Sequence, residues 1–195
     1  YGGQPCDWPS LNYIKNKYDL FLINDNCHAM GSRIENSNTY AAKYADIVTQ
    51  SYHPVKNFTT GEGGSILTNS KKIFDFCQLH RSHGMNKSKI LTNNNGRWFY
   101  KIDNYGYNYR ITDFQCALGV SQLKKLEKFV IKRRKIAYFY NKNFENLENF
   151  KIPPTLKSNY NSFHLYPLLI DFKKLKVSKN IFFNDLFKKG INLQV

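Results

Sequence analysis

Apolar residues along this chain come in short runs parted by polar turns, and their spacing alternates between strand-like and helical. Residues 11–17 carry the end of a helical pattern. The apolar run over residues 18–23 stops at Asn24-Asp25, which predicts a buried strand delivering an acid at its carboxyl end. A second strand is expected at 46–51, running into Tyr52-His53-Pro54-Val55-Lys56, followed by the polar loop Asn57-Phe58-Thr59-Thr60-Gly61-Glu62-Gly63-Gly64. Residues 65–68 predict a third strand and 71–79 a helix. The asparagine-rich stretch 85–104 reads as a mobile loop.

From Thr112, a plausible N-cap, a helical pattern continues through Phe114, Ala117, Leu118, Leu126 and Val130 to about Tyr140. Gly119 and the charged residues 124–128 suggest a bend or break within it. Pro153-Pro154 marks a linker, after which a strand is expected at 163–170, a helix at 180–188 and a strand at 191–195. Strands alternating with helices define an α/β architecture. Ligands in such folds gather beyond the carboxyl ends of the strands, which puts Asp25 and residues 51–56 in one crevice. The chain opens on Tyr1, and its last apolar alternation (Ile191, Leu193, Val195) breaks off in mid-pattern, so an internal stretch of a longer protein is expected.

Composition adds less than it first promises. The 195 residues carry a formal charge of +15, which invites a nucleic-acid reading. However, the cations are 23 Lys against 6 Arg, accompanied by 23 Asn, the mark of an A/T-rich coding bias. The densest cluster, Lys132-Arg133-Arg134-Lys135, falls on a helical pattern and reads as a solvated face. Without an RNA- or DNA-binding motif, no nucleic-acid partner is expected; a positive surface would still attract a phosphorylated or nucleotide-linked substrate. Apolar runs are too short for membrane insertion. Four scattered cysteines with no CxxC pair suggest reduced thiols in a cytoplasmic protein.

Within the crevice, Lys56 follows an apolar strand and precedes a glycine-rich loop. Partial desolvation there would free its amine for Schiff-base chemistry. Asp25 is either an N-cap or a carboxylate that pairs with a pyridinium nitrogen. His28 either packs flat on such a ring or is a satisfied core histidine. Ser51 and His53 either donate to a phosphate or simply finish the strand. The loop at 59–64 lacks both the GK[ST] ending of a P-loop and the GxGxxG spacing of a dinucleotide fold. His28, His53 and His83 are too scattered to suggest a metal site.

Taken together, the motifs are more specific than their parts. Asp25-Asn26-Cys27-His28-Ala29-Met30-Gly31, Ser51-Tyr52-His53-Pro54-Val55-Lys56-Asn57 and Thr59-Thr60-Gly61-Glu62-Gly63-Gly64 resemble, in order and spacing, the DegT/DnrJ/EryC1/StrS family of sugar aminotransferases. So do Arg81-Ser82-His83-Gly84, Gly106-Tyr107-Asn108-Tyr109-Arg110 and Ala117-Leu118-Gly119-Val120-Ser121-Gln122-Leu123. The opening Tyr1-Gly2-Gly3-Gln4-Pro5-Cys6-Asp7 and closing Gly190-Ile191-Asn192-Leu193-Gln194-Val195 look most like the branch that aminates a 4-keto sugar on the way to pseudaminic acid.

The resemblance implies a fold type I (aspartate aminotransferase-like) transferase with a mixed, mostly parallel sheet between helices. Residues 1–126 would be part of the large domain, 127–152 a connecting helix region, and 153–195 the start of a small C-terminal α/β domain. It implies pyridoxal 5′-phosphate as cofactor, attached to Lys56, with Asp25 on the pyridine nitrogen, His28 stacked on the ring and Ser51 on the phosphate. His53 belongs to the same cofactor-binding motif. Asn108 would reach the phosphate of a neighbouring subunit's cofactor, so a homodimer with shared active sites is implied. The expected substrates are a nucleotide-linked 4-keto-6-deoxy sugar and an amino donor, glutamate. The alternatives are a perosamine- or arabinose-type sugar, or a non-catalytic regulatory member. Asn24-Asp25-Asn26-Cys27 departs from the family's more usual Glu-Asp-Ala-Ala/Cys. These residues by themselves are expected to be inactive.

Overall fold

The computed structural model describes residues 1–86, 100–156 and 158–194. In chain order its elements are α1 (Trp8–Tyr18), β1 (Ile23–Asp25), β2 (Arg33–Ile34), α2 (Tyr40–Tyr44), β3 (Ile47–Ser51), β4 (Gly64–Leu67), α3 (Lys71–Arg81), β5 (Met85–Asn86), β6 (Lys101–Ile102), α4 (Asp113–Leu123), α5 (Leu126–Phe144), β7 (Phe150–Lys151), β8 (Asn159–Tyr160), β9 (Leu169–Ile170), α6 (Phe172–Leu175) and α7 (Lys179–Lys188). No described helix is long and apolar enough to cross a membrane.

The sheet that positions the site has the order β1-β3-β4 and is mixed. β1 and β3 run parallel in the register Ile23↔Ile47 to Asp25↔Thr49, whereas β4 returns antiparallel with Ser51 opposite Gly64. A parallel pair needs a crossover, and α2 lies within it. The expected strand at 18–23 starts instead at Ile23, because its pairing partner starts only at Ile47. At that point Asp46 ties off the chain: its amide donates to the Leu22 carbonyl at 2.9 Å and its carboxylate accepts from the Leu22 amide at 2.8 Å. Just before it, α1 ends at Asp19, whose left-handed conformation (φ 50°) turns the chain.

The core gathers where α1, α2 and the sheet meet. Trp8, Ile34, Tyr40, Ala41, Ala45 and Val48 form one buried cluster, with Leu11 and Leu22 packed against it. Burying each large side chain of this kind stabilises the fold by about 1.5–3 kcal/mol. Asp7 sets the entry of α1 by accepting from the Ser10 amide at 3.2 Å and its hydroxyl at 2.7 Å.

The helix expected from Thr112 to about Tyr140 is two helices, α4 and α5, separated at Lys124-Lys125. The break falls in the charged stretch and not at Gly119, which is a buried helical residue of α4. Thr112 caps α4 in a full capping box with Gln115. The strand expected at 163–170 reduces to β9, paired with β7. Two residues explain this: Phe163 is left-handed (φ 47°), and Pro167 lacks the N–H a ladder needs. Residues 191–194 form no strand, since no described strand pairs with them; Val195 lies outside the described residues. Of the loop expected at 85–104, residues 87–99 lie outside the described residues, and its two ends pair as β5 and β6.

Asp46 also accepts from Lys15 Nζ at 2.7 Å. Burial pushes its pKa up, but the Leu22 amide and Lys15 outweigh that and hold the carboxyl below its ordinary value. A depressed carboxyl contributes stability above its unfolded pKa and loses it as pH falls through the folded one. Asp46→Asn is therefore expected to cost about 1–3 kcal/mol at neutral pH. In denaturant unfolding the difference between wild type and variant should shrink as the pH is lowered below the ordinary carboxylate range.

Candidate active site

Two loops at the carboxyl ends of β1 and β3 build the site. β1 ends at Asp25, which is solvent-facing, and the chain turns at once: the Asn26 amide donates to the Thr49 carbonyl on β3 at 3.0 Å. Asn26 is buried and used. Its side chain accepts from the Tyr40 hydroxyl at 2.8 Å and donates to Gln50 Oε1 at 3.3 Å, fastening the loop to core and sheet. The Cys27 thiol, and then the Cys27 amide donating at 3.1 Å, hold the Asp25 carboxyl below its ordinary pKa; the charges of His28 and Lys56 add to this. Asp25 is thus a stably ionised carboxylate at neutral pH.

His28 follows half-buried, with its Nδ1 accepting from the Gly2 amide at 3.3 Å. Its pKa is lowered, first by burial and then by the positive charge of Lys56. Beyond β3, a tight turn presents Lys56: its amide donates to the His53 carbonyl at 3.0 Å, and the Val55 amide donates to His53 Nδ1 at 3.4 Å. The loop behind folds back on Tyr52, whose carbonyl accepts from the Thr60 amide at 3.0 Å and the Thr59 hydroxyl at 2.8 Å. α4 braces this loop, with Gln115 Nε2 and Thr60 Oγ1 both donating to the Glu62 carbonyl, at 2.9 and 2.6 Å. An open cleft of about 440 Å³ lies between the lysine turn and α5, lined by Lys56, Asn57, Thr59, Phe129, Lys132 and Arg133 among others.

A third segment closes the site from behind. Asn161, Ser162 and His164 are buried polar residues far along the chain. The Ser162 amide donates to Ser32 Oγ at 3.1 Å, Ser32 Oγ donates to the Gly3 carbonyl at 2.6 Å, and Asn57 Nδ2 donates to Ser162 Oγ at 2.9 Å. Gly3 is obligatory here: it is left-handed at φ 104°, and a Cβ would stand 2.7 Å from the Phe163 amide nitrogen. The His164 ring meets His28 edge-on, with centroids 4.5 Å apart at 64°.

Of the residues anticipated from sequence, Asp25, His28 and Lys56 come together closely enough for their charges to interact. Ser51 sits at the end of β3 opposite Gly64. His53 is an exposed member of the lysine turn, with Nε2 3.9 Å from Glu62 Oε1. Asn108 stands elsewhere: it bridges to Ser82 at the end of α3 and is exposed. Sequence reading missed Asn57, Ser32, Ser162 and His164. The run of polar residues at 159–162 just before an apolar stretch was the only local signal for the last two.

A carboxylate, an imidazole and a lysine thus gather beyond the carboxyl ends of two parallel strands, where ligands of α/β folds collect. The chain belongs to the DegT/DnrJ/EryC1/StrS aminotransferase family, whose model matches residues 1–195. It is 36% identical to the UDP-4-amino-4,6-dideoxy-N-acetyl-beta-L-altrosamine transaminase of Campylobacter jejuni over 195 residues, covering 100% of this chain and 49% of that protein. It is also 36% identical to the uncharacterized protein MJ1066 of Methanocaldococcus jannaschii, covering 100% of this chain and 50% of the relative. Among solved structures, Helicobacter pylori PseC, an aminotransferase involved in the biosynthesis of pseudoaminic acid, matches with a TM-score of 0.89 at 33% identity, over 100% of this chain and 50% of that one. The chain spans about half the length of the curated relatives it matches.

Gly119 lets α4 approach the lysine loop, since a Cβ there would lie 2.8 Å from Thr60 Cγ2. Alanine is the better helix former by roughly 1 kcal/mol. Even so, Gly119→Ala is expected to destabilise the protein by about 1–3 kcal/mol through overpacking, because Thr60 is held by its own hydrogen bonds. Thr60→Ser, which removes only the clashing methyl, should restore most of the loss in a double-mutant unfolding experiment.

Proposed function

We propose that this chain carries the catalytic core of a pyridoxal phosphate-dependent aminotransferase acting on a nucleotide-linked 4-keto-6-deoxy sugar. The substrate is of the UDP-4-keto-6-deoxy-N-acetylhexosamine type, and the product serves a bacterial surface-sugar pathway. One observation carries the reading: an ionised Asp25, a neutral His28 and Lys56 converge in one crevice of a chain that belongs to an aminotransferase family. The activity for which the Campylobacter relative is named supports the sugar class.

The residues fit the cofactor. The Asp25 carboxylate, bonded on Oδ1 by the Cys27 amide, is charged as a partner for a pyridinium nitrogen must be. His28 offers a neutral imidazole face, which a cationic ring tolerates. Ser51 and His53 at the end of β3 would hold the phosphate, with Lys56 as the attachment point. When bound, pyridoxal phosphate supplies a carbonyl that accepts the amino group and a ring that takes up negative charge from the reacting carbon.

The protein's own work is then proton handling and orientation. Asp25 keeps a proton on the ring nitrogen. Lys56 Nζ removes the proton from the α-carbon of the amino donor, for which glutamate is the proposed source. The same nitrogen returns a proton to the sugar carbon in the second half-reaction. Basic side chains around the cleft, Lys132 and Arg133, favour an anionic nucleotide substrate.

Asn108, bridged away from its own chain's crevice, fits the proposed role of reaching the cofactor phosphate in a neighbouring subunit. Around it Tyr105 is 95% exposed and Phe114 is 91% exposed, an apolar surface suited to a homodimer with shared sites. The division at residues 126 and 152 into large domain, connecting helix region and small domain is kept as part of this proposal.

Borohydride reduction of the protein with pyridoxal phosphate, followed by peptide mapping, should place the pyridoxyl group on Lys56. Lys56→Ala should lower transamination by at least about 10²–10⁴-fold, the range for loss of a general base. Label on another lysine, or none on folded protein, overturns the reading. Assays with UDP-linked and GDP-linked keto sugars decide the nucleotide.

A further inference from the structure

We propose that His164 is a positioning residue: its ring, packed edge to face with His28, fixes the plane of the imidazole assigned to stack on the cofactor. This rests on the cofactor reading above. His164 comes from the far side of the chain, 136 residues after His28, counted as 164 minus 28. Its side chain is 6% exposed, and Nδ1 has no hydrogen-bond partner among the described residues. A buried polar atom left unsatisfied is costly unless something is gained elsewhere. The gain here is contact with His28, edge to face at 4.5 Å, on a ring that also meets Tyr1 at 5.3 Å.

The backbone delivers His164 at some cost. Phe163 is forced into the left-handed region at φ 47°, a strained state for an aromatic residue. Arg133 on α5 holds that bend, donating to the His164 carbonyl at 3.0 Å and the Phe163 carbonyl at 3.4 Å. Asn161 Oδ1 accepts from the Phe163 amide at 2.8 Å. An arrangement that clamps a strained residue from two sides has His164 as its outcome.

Electrostatics agrees with the geometry. The Gly2 amide donates to His28 Nδ1, so the proton of the neutral ring is on Nε2. His164 is pushed down to about 4, first by burial, then by the repulsion a protonated His28 would exert, and by the positive charges of Lys56 and Arg133. The charged groups facing His28 are Lys56 and the Tyr1 amino group, which oppose its protonation, and Asp25, which favours it. Both imidazoles therefore stay neutral, and no cation stands beneath a cationic ring.

The test compares His164→Phe, which keeps a neutral ring edge, with His164→Leu, which fills the space without one. ¹⁵N-histidine NMR of the cofactor-free protein reads the tautomer and titration of His28, and equilibrium dialysis reads pyridoxal phosphate affinity. The Phe variant should keep the Nε2–H tautomer and wild-type affinity. The Leu variant should shift the His28 ring resonances from their wild-type positions and bind about three- to tenfold more weakly, the effect of one edge-to-face contact. Arg133→Met, which releases the bend, should shift His28 in the same direction as Leu. A His28 spectrum that is identical in the wild-type, Phe and Leu proteins overturns the proposal, as does equal disturbance by Phe and Leu. If wild type binds no pyridoxal phosphate the cofactor reading fails, while the His28 spectra still decide the role of His164.

Discussion

The fully buried Ser162 hydroxyl and amide are the point on which the site's geometry depends. Through them one short segment is bonded to Gly3, Ser32 and Asn57, which lie in three separate stretches of the chain. Two of those residues are close in sequence to something chemical: Ser32 is four residues past His28, and Asn57 is next to Lys56. In a low-dielectric interior such a network is strong when every member is satisfied and costly when one is lost. Ser32 both donates and accepts, and Ser162 does so as well. The two loops that carry imidazole and amine are thereby held at a fixed separation that neither strand alone would impose.

The sheet supplies the complementary constraint. Parallel pairing of β1 with β3 fixes the register, so Asp25 and Ser51 leave the same end of the sheet. Asp46 starts that ladder by bonding Leu22, and Asn26 finishes it by bonding Thr49 and Gln50. A polar residue in place of a small apolar one at Asn26 would ordinarily be a burial penalty. Here Tyr40 and Gln50 satisfy it, so the buried amide is matched by its own hydrogen bonds.

What could be read from sequence follows from how local each determinant is. Helices with a capping residue, such as α4 at Thr112 and α7 at Ser178, announce themselves within one turn. The lysine turn and the acid at the end of β1 were visible because a strand, a proline and a glycine-rich loop punctuate them. The start of β1 was misplaced because the partner strand, not the apolar run, decides where pairing begins. The strand expected at 163–170 failed for a similar reason: the left-handed bend at Phe163 is imposed by Arg133 from α5. His164 and Ser162 were missed because the contacts that give them their meaning, to His28 and to Gly3, Ser32 and Asn57, lie more than 100 residues away, where no periodicity records them.

Lys56 differs from the other 22 lysines by its surroundings, not its type. Exposed charges separated by more than about 8–10 Å are screened at physiological ionic strength, so most of the positive excess acts only as a diffuse field. The Lys56 ammonium instead reaches Asp25, His28 and His164 across a partly dry crevice. On the carboxyl it favours the charged form; on the two imidazoles it favours the neutral one. Both effects have the sign that a pyridinium-binding site requires, an anion at the nitrogen and neutral rings beside it. The cation held by the four-residue turn from His53 to Lys56 thus adds, behind burial and hydrogen bonding, to the same pattern of charge on all three neighbours.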